Sequence, residues 1–177
     1  MVWVLDITVI KTRLKKLDGY QHGLLPFQKI PLEEYLANEN MQMIVERRLQ
    51  LSIQVCIDIA NYLIAHLGLK VPDEQETVFI VLGQAGIISS DLAQRMVGMV
   101  RFRNILVHDY LEIDASLVHS HLARRLADFD QFSRELAAQF FALEPEDTEL
   151  EEYEPGIRSK TPTGGTPLLS GVCDPRQ

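Results

Sequence analysis

The sequence predicts an all-helical fold, a bundle of four to five helices followed by an acidic, Pro- and Gly-rich tail. Three observations carry that prediction. Apolar residues recur at alternating spacings of three and four, as in Leu49, Ile53, Cys56, Ala60, Leu63 and Leu67, which lines them along one face of a helix. No stretch alternates apolar and polar residues in the manner of a half-buried strand. After Leu143 the helical pattern stops, and Glu-rich sequence gives way to repeated Pro, Gly, Thr and Ser. Residues 1–143 therefore read as one helical domain. Residues 144–177 carry too little apolar surface to offset the entropy of ordering and are expected to be disordered.

The first helix is expected over residues 4–18, with Leu5, Val9, Leu14 and Leu17 on one side and a break at Gly19, Gly23 and Pro26. Pro31 opens a short turn of helix to Ala37, because proline suits a first helical position. The longest helix is expected from Met41 to Leu67, stopped by Gly68 and Pro72. Besides its apolar seam it carries a polar stripe, Gln50, Gln54, Asp58 and Asn61. That stripe reads either as a solvated face or, through Asp58, as part of a site. Asp73 is expected to cap a short helix closed by Gly83 and Gly86, and Ser89 or Ser90 to cap the next, with Leu92, Met96, Met99, Val100 and Leu106 inward. Asp114 begins a last long helix to about Leu143, with Leu117, Leu122, Leu126, Phe129 and Phe132 as its apolar contacts.

The chain has 177 residues and a formal charge of −8. From Glu144 onward there are eight acidic and three basic residues, which leaves residues 1–143 at −3, with fourteen basic against seventeen acidic side chains. A mildly acidic body is no nucleic-acid footprint by itself, so any contact with nucleic acid has to be local or created by pairing two copies. Cys56 and Cys173 suggest neither a disulfide framework nor a zinc site. Lys11 and Arg13 follow the apolar start instead of preceding it, the wrong order for a signal peptide. No apolar run approaches the ~20 residues needed to span a bilayer. A cytoplasmic protein without a membrane partner is the expectation.

The segment that carries chemistry is Arg101-Phe102-Arg103-Asn104-Ile105-Leu106-Val107-His108-Asp109-Tyr110. RNA cleavage by internal attack needs a proton taken from a 2′-hydroxyl and one given to the leaving 5′-oxygen. Histidine suits both steps near neutral pH. Arginine's fork of donors answers the charge that builds on the phosphate, without titrating, and such a scheme needs no metal. At ~100° per residue, Asn104 lies about 40° from His108 and Arg101 about 20°, whereas Arg103 is about 140° away. For Arg103 and His108 to share one phosphate, the arginine must wrap around, the helix must distort, or two subunits must meet; a cleft between subunits is favoured. On spacing alone a plainer reading stays open, a helix-end cluster in which His108 complements the dipole and Asp109 pairs with an arginine.

Arg103-Asn-Ile-Leu-Val-His108-Asp-Tyr110 resembles the Arg-x-x-x-x-His-x-Tyr motif of the HepT toxins, a branch of the HEPN superfamily. Cys56-Ile-Asp58-Ile-Ala-Asn61, Gly83-Gln-Ala-Gly-Ile-Ile88 and Leu106-Val-His-Asp-Tyr-Leu-Glu-Ile113 are similar to further stretches of that family, so the resemblance covers roughly residues 40–140. It implies a HEPN-like helical bundle, a homodimer, and a metal-independent endoribonuclease of a toxin–antitoxin pair. Arg103 and His108 become the catalytic pair, with Asn104, Asp58 and Arg101 in support. The partner implied is an MntA-type nucleotidyltransferase antitoxin that transfers AMP from ATP to Tyr110; ATP and magnesium would be bound by that antitoxin, and this chain needs no cofactor of its own. The added bulk and charge beside His108 would repel an RNA backbone. Transfer RNA is one candidate substrate, because a cut in an abundant adaptor stops translation. A second reading makes the chain a non-catalytic nucleotide- or substrate-binding subunit of a nucleotidyltransferase, with Arg103 gripping a phosphate and no task for a titrating His108.

His119 and His121 are two residues apart on a helix, so they cannot share a metal and are expected at the surface. His22 and His66 read as structural. Arg124, Arg125 and Arg134 are read as a solvated face, with a basic strip beside the cleft as the alternative.

Overall fold

The computed structural model describes residues 5–108 and 113–141. Over them the chain runs through six α-helices: α1 (Ile7–His22), α2 (Leu32–Leu36), α3 (Glu39–His66), α4 (Val78–Gln84), α5 (Ser90–His108) and α6 (Ala115–Phe140). Short 3-10 turns occupy Leu25–Lys29 and Gln75–Thr77, and the described residues contain no strand. The long helices α1, α3, α5 and α6 form the expected bundle, and the short α2 and α4 close its ends. No described helix is long and apolar enough to cross a membrane. The expected tail falls outside the described residues.

α3 lies at the centre and packs against each of the other five helices. Most of the seam read from the sequence is its inner face: Leu49, Ile53, Cys56, Ala60 and Leu63 are buried, together with Val45, Ile57 and Ile59, whereas Leu67 lies just past the helix end and is exposed. Each large aliphatic side chain moved out of water in this way contributes roughly 1.5–3 kcal/mol. Burial also pushes the Cys56 thiol well above its ordinary pKa, with Asp58 adding to the shift, so this cysteine serves as packing.

The helix boundaries follow from hydrogen bonds that satisfy exposed backbone groups. Asp6 Oδ1 accepts the amide of Thr8 at 2.9 Å to start α1, and Asn38 Oδ1 accepts that of Met41 at 3.0 Å to start α3. Gly68 (φ 64°) and Gly86 (φ 70°) end α3 and α4 in the left-handed region. In each case the next amide turns back to the helix, Leu69 to the Ile64 carbonyl and Ile87 to that of Leu82, both at 3.0 Å. Asp114 Oδ1 accepts from Ser116 and Leu117 and opens α6 as expected.

Several boundaries and contacts differ from the sequence expectation. α1 runs through Gly19 to His22, because a helical glycine costs only about 1 kcal/mol and the packing of α1 on α3 outweighs it. Asp73 caps nothing; a 3-10 turn precedes α4, which starts after Thr77. Leu117 is 39% exposed, and Val118 begins the buried stripe continued by Leu122, Leu126, Phe129, Phe132 and Leu136. The two histidines of α6 are not surface groups. His119 Nε2 meets the Ile30 carbonyl at 2.8 Å, and the His121 ring stacks on Phe102 with centroids 3.9 Å apart. Arg125 is likewise tied inward, with Nη1 3.1 Å from Asp128, a carboxylate it shares with Arg95.

Candidate active site

α5 carries the motif, and α3 and α6 aim it. Phe102 and Leu106 are its inward residues, both buried. Phe102 packs flat on His121 of α6, with the rings 6° from parallel. Burial first, then Arg125 and Arg124, hold the His121 imidazole below its ordinary pKa, which favours the neutral ring against Phe102. With Phe102 pinned on that side, Arg103 is turned toward α3.

Arg103 is half-buried, and two side chains hold its guanidinium. Nη2 donates to Gln54 Oε1 at 2.6 Å, and Nη1 donates to Asn104 Oδ1 at 3.1 Å. Gln54 Nε2 in turn donates to Asp58 Oδ1 at 2.8 Å. One amide therefore faces a cation with its oxygen and a carboxylate with its nitrogen, which fixes its orientation. Arg103 Nε is buried and meets no acceptor among the described residues. Arg13 of α1 adds a second cation nearby, donating to the Asp58 carbonyl at 3.3 Å. Three of the candidates, Arg103, Asn104 and Asp58, are thus joined in one network through Gln54.

The polar stripe of α3 divides accordingly. Gln54 and Asp58 belong to the Arg103 network, Gln50 accepts from Arg47 of its own helix at 3.1 Å, and Asn61 is exposed. Gln54 was legible only as a member of that stripe. Its position one turn before Asp58 is the signal that could have marked it.

Arg101 is placed elsewhere. Its guanidinium pairs with Glu76 at 2.7 Å and is mostly exposed. α5 is an unbroken helix to His108, so Arg103 and His108 keep their separation of about 140° around the axis. The His108 side chain lies outside the described residues, as do Asp109 and Tyr110. Among the described residues no three His, Cys, Asp or Glu side chains are grouped to hold a metal.

Arg103, half-buried on α5, stands five residues before His108 at the end of the same helix. The family model described as Ribonuclease HepT-like matches residues 10–136. This chain belongs to the HepT-like ribonuclease family. It is 31% identical over 142 residues to the tRNA nuclease HepT of Aphanizomenon flos-aquae, a match covering 80% of this chain and 97% of that one. It is 37% identical over 84 residues to the mRNA nuclease HepT of Shewanella oneidensis, which covers 48% and 63% of the two chains. Among solved structures, the tri-AMPylated HEPN toxin of Shewanella oneidensis in complex with its MNT antitoxin superposes with a TM-score of 0.67 at 27% identity, over 73% of this chain and 97% of that one. The HEPN-like helical fold, the nuclease class and the toxin reading expected from the sequence agree with these relatives.

Proposed function

We propose that this HepT-like protein is a toxin that cleaves RNA without a metal, using Arg103 and His108 of two paired copies, and that a nucleotidyltransferase antitoxin silences it by transferring AMP to Tyr110. The observation that carries this reading is the Arg103 guanidinium. It is held half-buried by neutral amides, and among the described residues one of its N–H groups is unmet and no carboxylate touches it. Its positive charge is therefore available to a phosphate.

In the reaction, the 2′-oxygen attacks the adjacent phosphorus and His108 accepts its proton. Arg103 stabilises the extra negative charge on the phosphoryl oxygens. The P–O5′ bond breaks, and the 5′-oxygen takes up a proton as it leaves. The products are a 2′,3′-cyclic phosphate and a 5′-hydroxyl. Gln54 turns Arg103 toward α3, and His108 follows about 140° further round the helix axis, so a second copy is the simplest source of the histidine for a given phosphate. Transfer to Tyr110 joins its phenol oxygen to the α-phosphorus of ATP and releases pyrophosphate; ATP and magnesium belong to the antitoxin. Two curated relatives act on different RNA classes by name, and transfer RNA is the class favoured for this chain.

The test is incubation of the purified, unmodified chain with total RNA in EDTA, beside His108→Ala. Discrete fragments from the parent alone support metal-independent cleavage through His108. Fragments that need added magnesium would refute the metal-free scheme. No fragments from folded, AMP-free protein would leave the binding-subunit reading instead.

A further inference from the structure

α1 and α3 enclose a second candidate site, one to two helical turns from Gln54. A cavity of about 420 Å³ is lined by Lys16, Gly19 and Tyr20 of α1 and by Arg48 and Leu51 of α3. That volume falls within the ordinary range for small-ligand clefts. Arg48 is half-buried, and among the described residues no side chain or carbonyl accepts from its guanidinium. Its guanidinium keeps contact with solvent, so an anion entering the cavity can reach a charge that no described carboxylate neutralises.

Gly23 leaves room for the Arg48 guanidinium in that seat. A Cβ on Gly23 would overlap Arg48 Nη1 and crowd its Cζ, so the guanidinium lies directly against the glycine. Gly23 itself has an ordinary helical conformation, φ −75° and ψ −8°. The absent side chain, not an unusual backbone, is what the site uses. Lys16 and Tyr20, one turn apart on α1, line the same cavity as Arg48.

We propose that this cavity is a nucleotide subsite, in which Arg48 and Lys16 take a phosphate and Tyr20 carries a base. The proposal rests on the RNA reading above. At ~100° per residue, Leu51 lies about 60° from Arg48 and about 60° from Gln54, midway between them on α3. At 1.5 Å per residue, Arg48 is about 9 Å along the axis from Gln54. A strand held at Arg103 therefore has a short path across Leu51 to the cavity. These cations also supply the local positive surface that an acidic chain needs to hold RNA, and an aromatic ring accepts any base face.

The full-length chain carrying His108→Ala keeps RNA intact and allows binding of a fluorescein-labelled single-stranded RNA to be followed by anisotropy over a salt series. Arg48→Glu should weaken binding roughly tenfold or more. The slope of log affinity against log salt should become shallower by about 0.7 per lost phosphate contact. Gly23→Ala keeps every charge and should melt at or above the parent temperature, yet weaken RNA several-fold by displacing the guanidinium. AMP that binds as tightly as the RNA, with the same dependence on Arg48, would support the subsite and assign it to free nucleotide. Unchanged affinity and salt slope in both variants, while the parent still cuts RNA, would overturn the subsite alone. A parent that neither binds nor cuts RNA would overturn the RNA reading with it. Weaker binding accompanied by a change from dimer to monomer in light scattering would make this face a contact between copies, and the proposal would fail.

Discussion

Gln54 accepts from Arg103 at 2.6 Å and, through the same amide, donates to Asp58 at 2.8 Å. A carboxylate in place of the amide would also hold the arginine, but as a direct ion pair that neutralises it. The amide holds the guanidinium in place without neutralising it, as the proposed reaction requires. The Asp58 carboxylate fixes the amide at one remove.

Gln54→Glu should therefore lower RNA cleavage about 10- to 100-fold, mainly in kcat, and, because it sets a second carboxylate beside Asp58 where the amide donated, melt somewhat below the parent. Gln54→Ala frees the arginine without neutralising it and should cost less. Kinetics of all three proteins on one RNA, beside their thermal melts, check this. A glutamate variant as active as the parent would reduce Gln54 to a structural tie.

Tyr110 follows His108 by two residues, so AMP on its phenol would add bulk and negative charge close in sequence to the proposed general base. Co-production with the cognate nucleotidyltransferase should raise the intact mass by one or more AMP groups and abolish cleavage. Tyr110→Phe should lose that modification and stay active. A chain neutralised without any gain in mass would show inhibition by binding alone.

The fold was legible where hydrophobic period and cap signals agreed. The α3 seam and the Asp114 cap are local features, and both appear in the structure where the sequence placed them. Gly19 misled because a helix breaker is a local cost that packing against α3 overrode. In the site, the motif named Arg103 and the stripe named Asp58. Only the packing of α5 on α3 put Gln54 between them. His121 was misjudged for the same reason: no local spacing reports that Phe102, nineteen residues earlier, lies against its ring.

His121 gives the α5–α6 contact a pH dependence. Burial, then Arg125 and Arg124, lower its folded pKa below the unfolded value. The unfolded chain therefore takes up the proton first as pH falls. The stability conferred by the neutral ring is complete above about pH 6.5 and is lost as pH drops through and below that value. Melting temperatures between pH 7.5 and 5 should fall less steeply in His121→Phe, which keeps a ring on Phe102 without a titrating nitrogen. Parallel curves for the two proteins would mean that the acid sensitivity lies elsewhere.

Asp128 is the buried carboxylate between two arginines, 2.7 Å from Arg95 Nε and 3.1 Å from Arg125 Nη1. Arg95 also reaches Gln131 at 2.6 Å and pairs with Asp91, so the cluster clasps the N-terminal half of α5 to α6. Removing the carboxylate leaves two guanidinium groups close together, with Arg95 still paired to Asp91, and breaking a buried pair from one side is costly. Arg95 is one-third exposed, and water will screen part of that repulsion. Asp128→Ala should therefore lose about 2–3 kcal/mol, seen as a drop of several degrees in melting temperature. The cluster lies about two helical turns from Arg103 along α5, so cleavage well below the melting temperature should stay within about twofold of the parent. A variant that melts with the parent would show that the arginines find other acceptors. A variant that is stable but inactive would place Asp128 in the machinery of the site.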